Sequence, residues 1–191
     1  LVATCAANAA DVCPTLRQQQ ASTDTATRIA ATACNENMLW YRPFIDTAGR
    51  LASTTVAEGE SSRLVDGTTE VWRRVAGYWS ESGLLSQMSG IRGAADCAYA
   101  MAVHDPAPTC RVFLIDNPWS AAFVSYVMKH AGVPGFRASP RHFDYVRDAW
   151  LHPDQSPFLY LDPAGAKPGA GDLLCAVRNP GRAYGYAGLI A

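Results

Sequence analysis

Asn117-Pro118, followed by an apolar-rich run that closes at Gly132, constrains this chain more than any other stretch. Asparagine accepts hydrogen bonds from the free amides of a helix start, proline suits the first helical position, and glycine tolerates a left-handed end. Together they predict a buried amphipathic helix from Pro118 to about His130, with Asn117 as N-cap. A second helix is predicted to start at Ser139-Pro140, with Phe143, Val146 and Trp150 on one face.

Short apolar runs at 111–115, 158–161, 173–177 and 184–190 read as strands. Upstream the pattern is helical. A helix over 25–40 is capped by Asp24 and ended by Arg42-Pro43. A longer helical region over 55–79 carries the stripe Val71, Val75 and Trp79, widened by Trp72 and Ala76, and Gly67 is placed to divide it. Met88, Ile91, Ala95, Ala98 and Tyr99 mark one more helix. Helices first and strands last predict an α+β arrangement. The expected organisation is a tether over 1–24, a helical region over 25–109 and an α+β core over 110–191. The 191 residues, 49% of them apolar, suffice for one sizeable core.

Sixteen basic against seventeen acidic side chains, with no charged stripe, argue against nucleic acid as partner. No stretch approaches the roughly 20 apolar residues a membrane-spanning helix needs. The opening Leu1-Val2-Ala3-Thr4-Cys5 faintly resembles a lipoprotein processing site, which leaves room for a lipid anchor. The six cysteines lack Cys-x-x-Cys pairs and interleaved histidines, so disulfides explain them better than a metal site. Cys97 to Cys110 is the expected bridge, implying an oxidising compartment, while buried thiols are the plainer reading of several others.

The predicted capping puts Ser120 in the first turn of its helix, where free amides and the positive helix end stabilise a developing anion. Trp119 would wall a groove beside it. The plainer reading of Ser120 is a hydroxyl that satisfies first-turn amides.

The run Pro118-Trp119-Ser120-Ala121-Ala122-Phe123-Val124 resembles the segment that opens the nucleophile helix of CHAP and NlpC-type papain-like cell-wall amidases. Ala131-Gly132-Val133 and Pro168-Gly169-Ala170-Gly171-Asp172-Leu173 continue that resemblance. Pro118 to Phe123, with Trp72-Arg73-Arg74-Val75-Ala76-Gly77-Tyr78-Trp79, more closely resembles the bacterial envelope family of unknown function designated DUF2272. The resemblance implies a papain-like domain, with a central helix packed on a small antiparallel sheet, preceded by a helical region. It also implies amide hydrolysis by acyl transfer, with no cofactor. Ser120 stands where the amidases carry cysteine, and Tyr186 where they carry histidine. No histidine follows Gly171, so the core is expected to be incomplete at its C-terminal end, with the family's histidine beyond Ala191.

A serine needs a neighbouring base to become nucleophilic. His142, in the first turn of its helix beside Asp144, is the candidate for that role or for a substrate donor, and its plainer reading is packing or capping. His104, His130 and His152 read as surface or helix-end residues. Asp116, Asn117, Trp119, Asp144 and Tyr186 are candidate substrate contacts. These readings predict a periplasmic, envelope-anchored or secreted bacterial amidase acting on peptidoglycan stem peptides. The rival expectations are an inactive domain that binds cell-wall peptide or a protein partner, and a secreted antibacterial effector.

Overall fold

Asp24 accepts from the Thr27 amide at 2.8 Å and starts α2 (Thr25–Leu39), the longest helix of a computed structural model that describes residues 11–45, 50–56, 61–100 and 108–177. Before it, Cys13 in the one-turn α1 (Cys13–Leu16) is disulfide-bonded to Cys34 of α2. Beyond α2, Tyr41 and Arg42 both take positive φ, and the Arg42 amide donates back to Asn37 O at 2.8 Å. That closure, with Pro43 next, ends the helix where the sequence predicts.

A two-stranded antiparallel ribbon, β1 (Phe44–Ile45) with β2 (Leu51–Ser53), is the sole sheet among the described residues. The remaining elements are helices: α3 (Val71–Glu81), α4 (Ala94–Cys97), α5 (Pro108–Asp116), α6 (Ser120–His130) and α7 (His142–Leu151).

The predicted α+β, papain-like architecture is therefore overturned. The run at 111–115 lies inside α5, where Cys110, Phe113 and Leu114 are buried while Val112 and Ile115 face solvent. That is helical spacing, anchored by the disulfide from Cys110 to Cys97 of α4. Residues 158–161 and 173–177 form no strand, and no strand among the described residues offers them a ladder. The run at 184–190 lies outside the described residues.

The helical predictions need smaller corrections. Among the described residues of the region over 55–79, the helix begins at Val71. Ahead of it, Asp66 accepts from the Thr68 and Thr69 amides at 2.9 Å each, turning the chain at Gly67. Around Met88 to Tyr99 one α-helical turn forms, α4, entered through Gly93 at φ 87°. A Cβ there would meet the Thr109 carbonyl oxygen at 2.1 Å, so glycine permits the close approach of α4 to α5. On α7 the buried face is Tyr145, Val146 and Ala149, while Phe143 and Trp150 are exposed.

The core gathers Ile29 of α2, Trp72, Val75, Ala76 and Trp79 of α3, Phe113 of α5 and Met128 of α6. Between α2, α3 and α6 lies a buried polar knot. Glu36, 1% exposed, accepts from Arg74 Nε at 2.9 Å and Arg74 Nη2 at 2.5 Å, from the Tyr78 hydroxyl at 2.5 Å and from the Tyr126 hydroxyl at 3.3 Å. Burial opposes the Arg74 charge, but the hydrogen bond and charge of Glu36 outweigh it and hold the guanidinium above its usual value. Burial, with the charge of Glu36, likewise raises Tyr78, so its phenol stays a donor. Arg28 ties α2 to the far end of α6 by donating to Ala131 O at 2.6 Å.

Candidate functional site

Ser120 opens α6, but Asn117 is not its cap. The Asn117 side chain donates to Phe113 O at 2.9 Å, closing α5, and Trp119 occupies the N-cap position. The first hydrogen bond of α6 runs from the Phe123 amide to Trp119 O at 2.9 Å. The amides of Ser120, Ala121 and Ala122 therefore precede the helical ladder and have no intrahelical acceptor. Trp119 stacks on Trp40 and Tyr78, with ring centroids 5.4 and 5.6 Å away, so this half-buried indole fixes the first turn against α2 and α3.

After α6 the chain turns at Gly132 and Gly135, both at positive φ, and returns to buried Ser125. Ser125 Oγ donates to Ser139 O and accepts from the Ser139 amide, each at 3.2 Å. Ser139 Oγ in turn accepts from the Arg141 amide at 3.1 Å and donates to Asp144 Oδ2 at 2.5 Å. This clamp fixes where α7 begins.

The clamp brings the first residue of α7 to the first residue of α6: Ser120 Oγ and His142 Nε2 lie 2.8 Å apart on an exposed face. On the other side of the ring, His142 Nδ1 is hydrogen-bonded to the Tyr145 hydroxyl. Burial raises Tyr145, with the nearby charges of Cys175 and Asp144 acting in the same direction, so the phenol stays protonated. Residue types and distances match a nucleophile, a base and a group that orients the base, with a phenol where a carboxylate is usual.

Of the other predicted contacts, Asp144 bonds Ser139 and Arg141, the latter at 3.0 Å, and makes no bond to His142. Asp116 is the exposed last residue of α5. Tyr186 and His104 lie outside the described residues. His130 pairs with Glu81 at 3.0 Å and His152 with Asp148 at 3.2 Å, as end-of-helix residues. Sequence reasoning missed Tyr145, although its spacing of three from His142 puts both on one helix face.

Two cavities adjoin Tyr145, and neither is lined by Ser120 or His142. One, of about 280 Å³, is lined by Phe136, Ser139 and Asp144. The other, of about 740 Å³, is lined mainly by apolar groups such as Ile29, Val133, Val146 and Leu173. Tyr145 lines both. Gly171, from the Pro168–Leu173 segment, closes against α2: it takes φ 96°, and a Cβ there would meet Ala26 O at 2.5 Å. No group of three or more His, Cys, Asp or Glu side chains that could hold a metal exists among the described residues.

A helical domain that presents a serine–histidine pair at two adjoining helix starts is the class defined by this fold and site. The chain belongs to the bacterial family described as "Uncharacterized protein conserved in bacteria (DUF2272)", which matches residues 66–191 and so includes Ser120, His142 and Tyr145. No curated protein and no solved structure matches the chain significantly. Both disulfides and the bacterial family are consistent with a location outside the cytoplasm. Among the described residues no helix is long and apolar enough to cross a membrane.

Proposed function

We propose that the protein is a periplasmic or secreted amide hydrolase acting by acyl transfer on peptidoglycan stem peptides. The observation that carries the catalytic part is the 2.8 Å contact between Ser120 Oγ and His142 Nε2 at a helix start. Ser120 attacks the scissile carbonyl carbon while bare Nε2 takes its proton. The free first-turn amides of α6 face the resulting oxyanion, and the imidazolium returns the proton to the leaving amine. Water then attacks the acyl-enzyme, with His142 again as base, and releases Ser120. The choice of peptidoglycan rests on the resemblance of the segment around Trp119 and Ser120 to cell-wall amidases.

The phenol behind His142 favours a second reading, since it compensates an imidazolium less well than a carboxylate: the domain binds cell-wall peptide without cleaving it. Digestion of peptidoglycan by wild type, Ser120→Ala and Ser120→Cys, read by mass spectrometry of the fragments, separates the two. Cleavage by wild type that falls about 10³-fold or more in Ser120→Ala supports the hydrolase. Equal cleavage by wild type and Ser120→Ala refutes the role of Ser120, and no cleavage by wild type favours binding.

A further inference from the structure

Each imidazole nitrogen of His142 meets a hydroxyl, Ser120 on Nε2 and Tyr145 on Nδ1, so neutral His142 has to donate to one and accept from the other. The two hydroxyls differ in their surroundings. Ser120 is exposed, and water can accept its proton. The Tyr145 side chain is buried, the residue being 6% exposed, and among the described residues His142 Nδ1 is the one acceptor within hydrogen-bond reach of its hydroxyl. A phenol is also the stronger donor of the two, because its ring withdraws electron density from oxygen. That same withdrawal makes it the poorer acceptor.

We propose that Tyr145 donates to Nδ1 of His142 and so acts as a positioning residue that holds the imidazole in its Nε2–H tautomer, with Ser120 Oγ as acceptor. Resting on the hydrolase reading above, this assigns the dyad a restrained ground state. In this tautomer Nε2 already carries a proton and cannot take the one from Ser120. The competent form has its proton on Nδ1. Reaching it takes one proton from water at Nδ1 and returns one to water at Nε2, while the Tyr145 O–H turns to another acceptor. A ligand group or water entering either cavity beside Tyr145 provides such an acceptor, so occupation of a neighbouring cavity and readiness of the base are coupled through one phenol.

The test is nitrogen NMR of the full chain labelled at histidine, with His142 identified by its loss in His142→Gln. A protonated ring nitrogen and a bare one resonate far apart, so the tautomer is read whether or not the protein cleaves anything. The neutral wild-type imidazole is expected to show protonated Nε2 and bare Nδ1. Tyr145→Phe keeps the ring that packs near Phe136. It should move Nδ1 to the position of an unbonded nitrogen and raise the Nδ1–H fraction about fivefold, the equilibrium equivalent of one hydrogen bond. Ser120→Ala should leave the Nδ1 signal in place. A wild-type imidazole protonated at Nδ1, or an Nδ1 signal unmoved by Tyr145→Phe, overturns the proposal. Failure of peptidoglycan cleavage with the expected tautomer overturns only the hydrolase reading.

Discussion

Replacing Glu36 by leucine tests whether the buried knot between α2, α3 and α6 is held by charge pairing. Glu36 is 1% exposed, and the Arg74 side chain facing it is 14% exposed. Without Glu36, the guanidinium keeps, among the described residues, one carboxylate, Glu81 at 3.3 Å and itself 38% exposed, together with the Tyr126 hydroxyl at 2.6 Å and the aromatic faces of Tyr78 and Tyr126 at 4.9 and 4.8 Å. An uncompensated buried charge costs about 3–5 kcal/mol. Glu81 and partial exposure place this case at the lower end, about 3 kcal/mol. With a urea dependence of roughly 2 kcal/mol per molar, the unfolding midpoint should fall by about 1.5 M. Tryptophan fluorescence reads it directly, since Trp40 donates to the Tyr78 hydroxyl at 2.7 Å and Trp119 stacks on the Tyr78 ring. Removing both charges, as Glu36→Leu with Arg74→Met, leaves no orphaned ion, so the double variant should be more stable than Glu36→Leu alone. The cycle should show a coupling of about 2 kcal/mol. Additive effects of the two substitutions would refute the reasoning.

Four further outcomes follow from the same contacts. Ser125→Ala strips both partners from the buried Ser139 backbone and should cost about 1–3 kcal/mol by urea unfolding, with loss of the Ser120–His142 contact visible as a changed His142 titration by NMR. Converting Cys97 and Cys110 to alanine opens a link of sequence separation 13 and should cost about 3 kcal/mol by thermal unfolding, as loop closure predicts. Gly93→Ala forces a Cβ onto the Thr109 carbonyl at positive φ and should lower Tm more than the same change at Gly67, which also has positive φ but open space. Acid should destabilise the fold: hydrogen bonds from Thr27 to Asp24, Thr69 to Asp66 and Arg73 to Glu70 hold all three carboxyls below their usual values. Their contribution is complete above the unfolded values near 4 and is lost as pH falls through the lower folded ones, so the urea midpoint should be lower at pH 3 than at pH 6.

What was legible in the sequence was local. Asp24 and Arg42-Pro43 bound α2 because caps and prolines act within a few residues, and Gly132 follows α6 for the same reason. Strands are not local objects. The runs at 111–115, 158–161 and 173–177 carry the composition of buried strands, but a strand needs a partner, and short apolar runs fit a buried helix equally well. Burial of Cys110, Phe113 and Leu114 at helical spacing, beside the disulfide to Cys97, decided the first of them. Tertiary pairing of that kind leaves no periodicity to read.

The candidate site divides along the same line. Ser120 and His142 could be singled out because each lies in the first turn of a well-signalled helix, yet their approach depends on Ser125 seizing Ser139, fourteen residues on. Glu36 and Arg74 are 38 residues apart, and only packing of α2 against α3 and α6 makes them a pair. Tyr145 differs from both cases. It sits three residues from His142 on the same helix, within reach of a purely local argument, but an i, i+3 tyrosine usually signals core, and half of that reading is right: its ring is buried while its hydroxyl meets the imidazole. A buried aromatic with one polar atom can serve the core and the site at once, so assigning it to the core does not remove it from the chemistry.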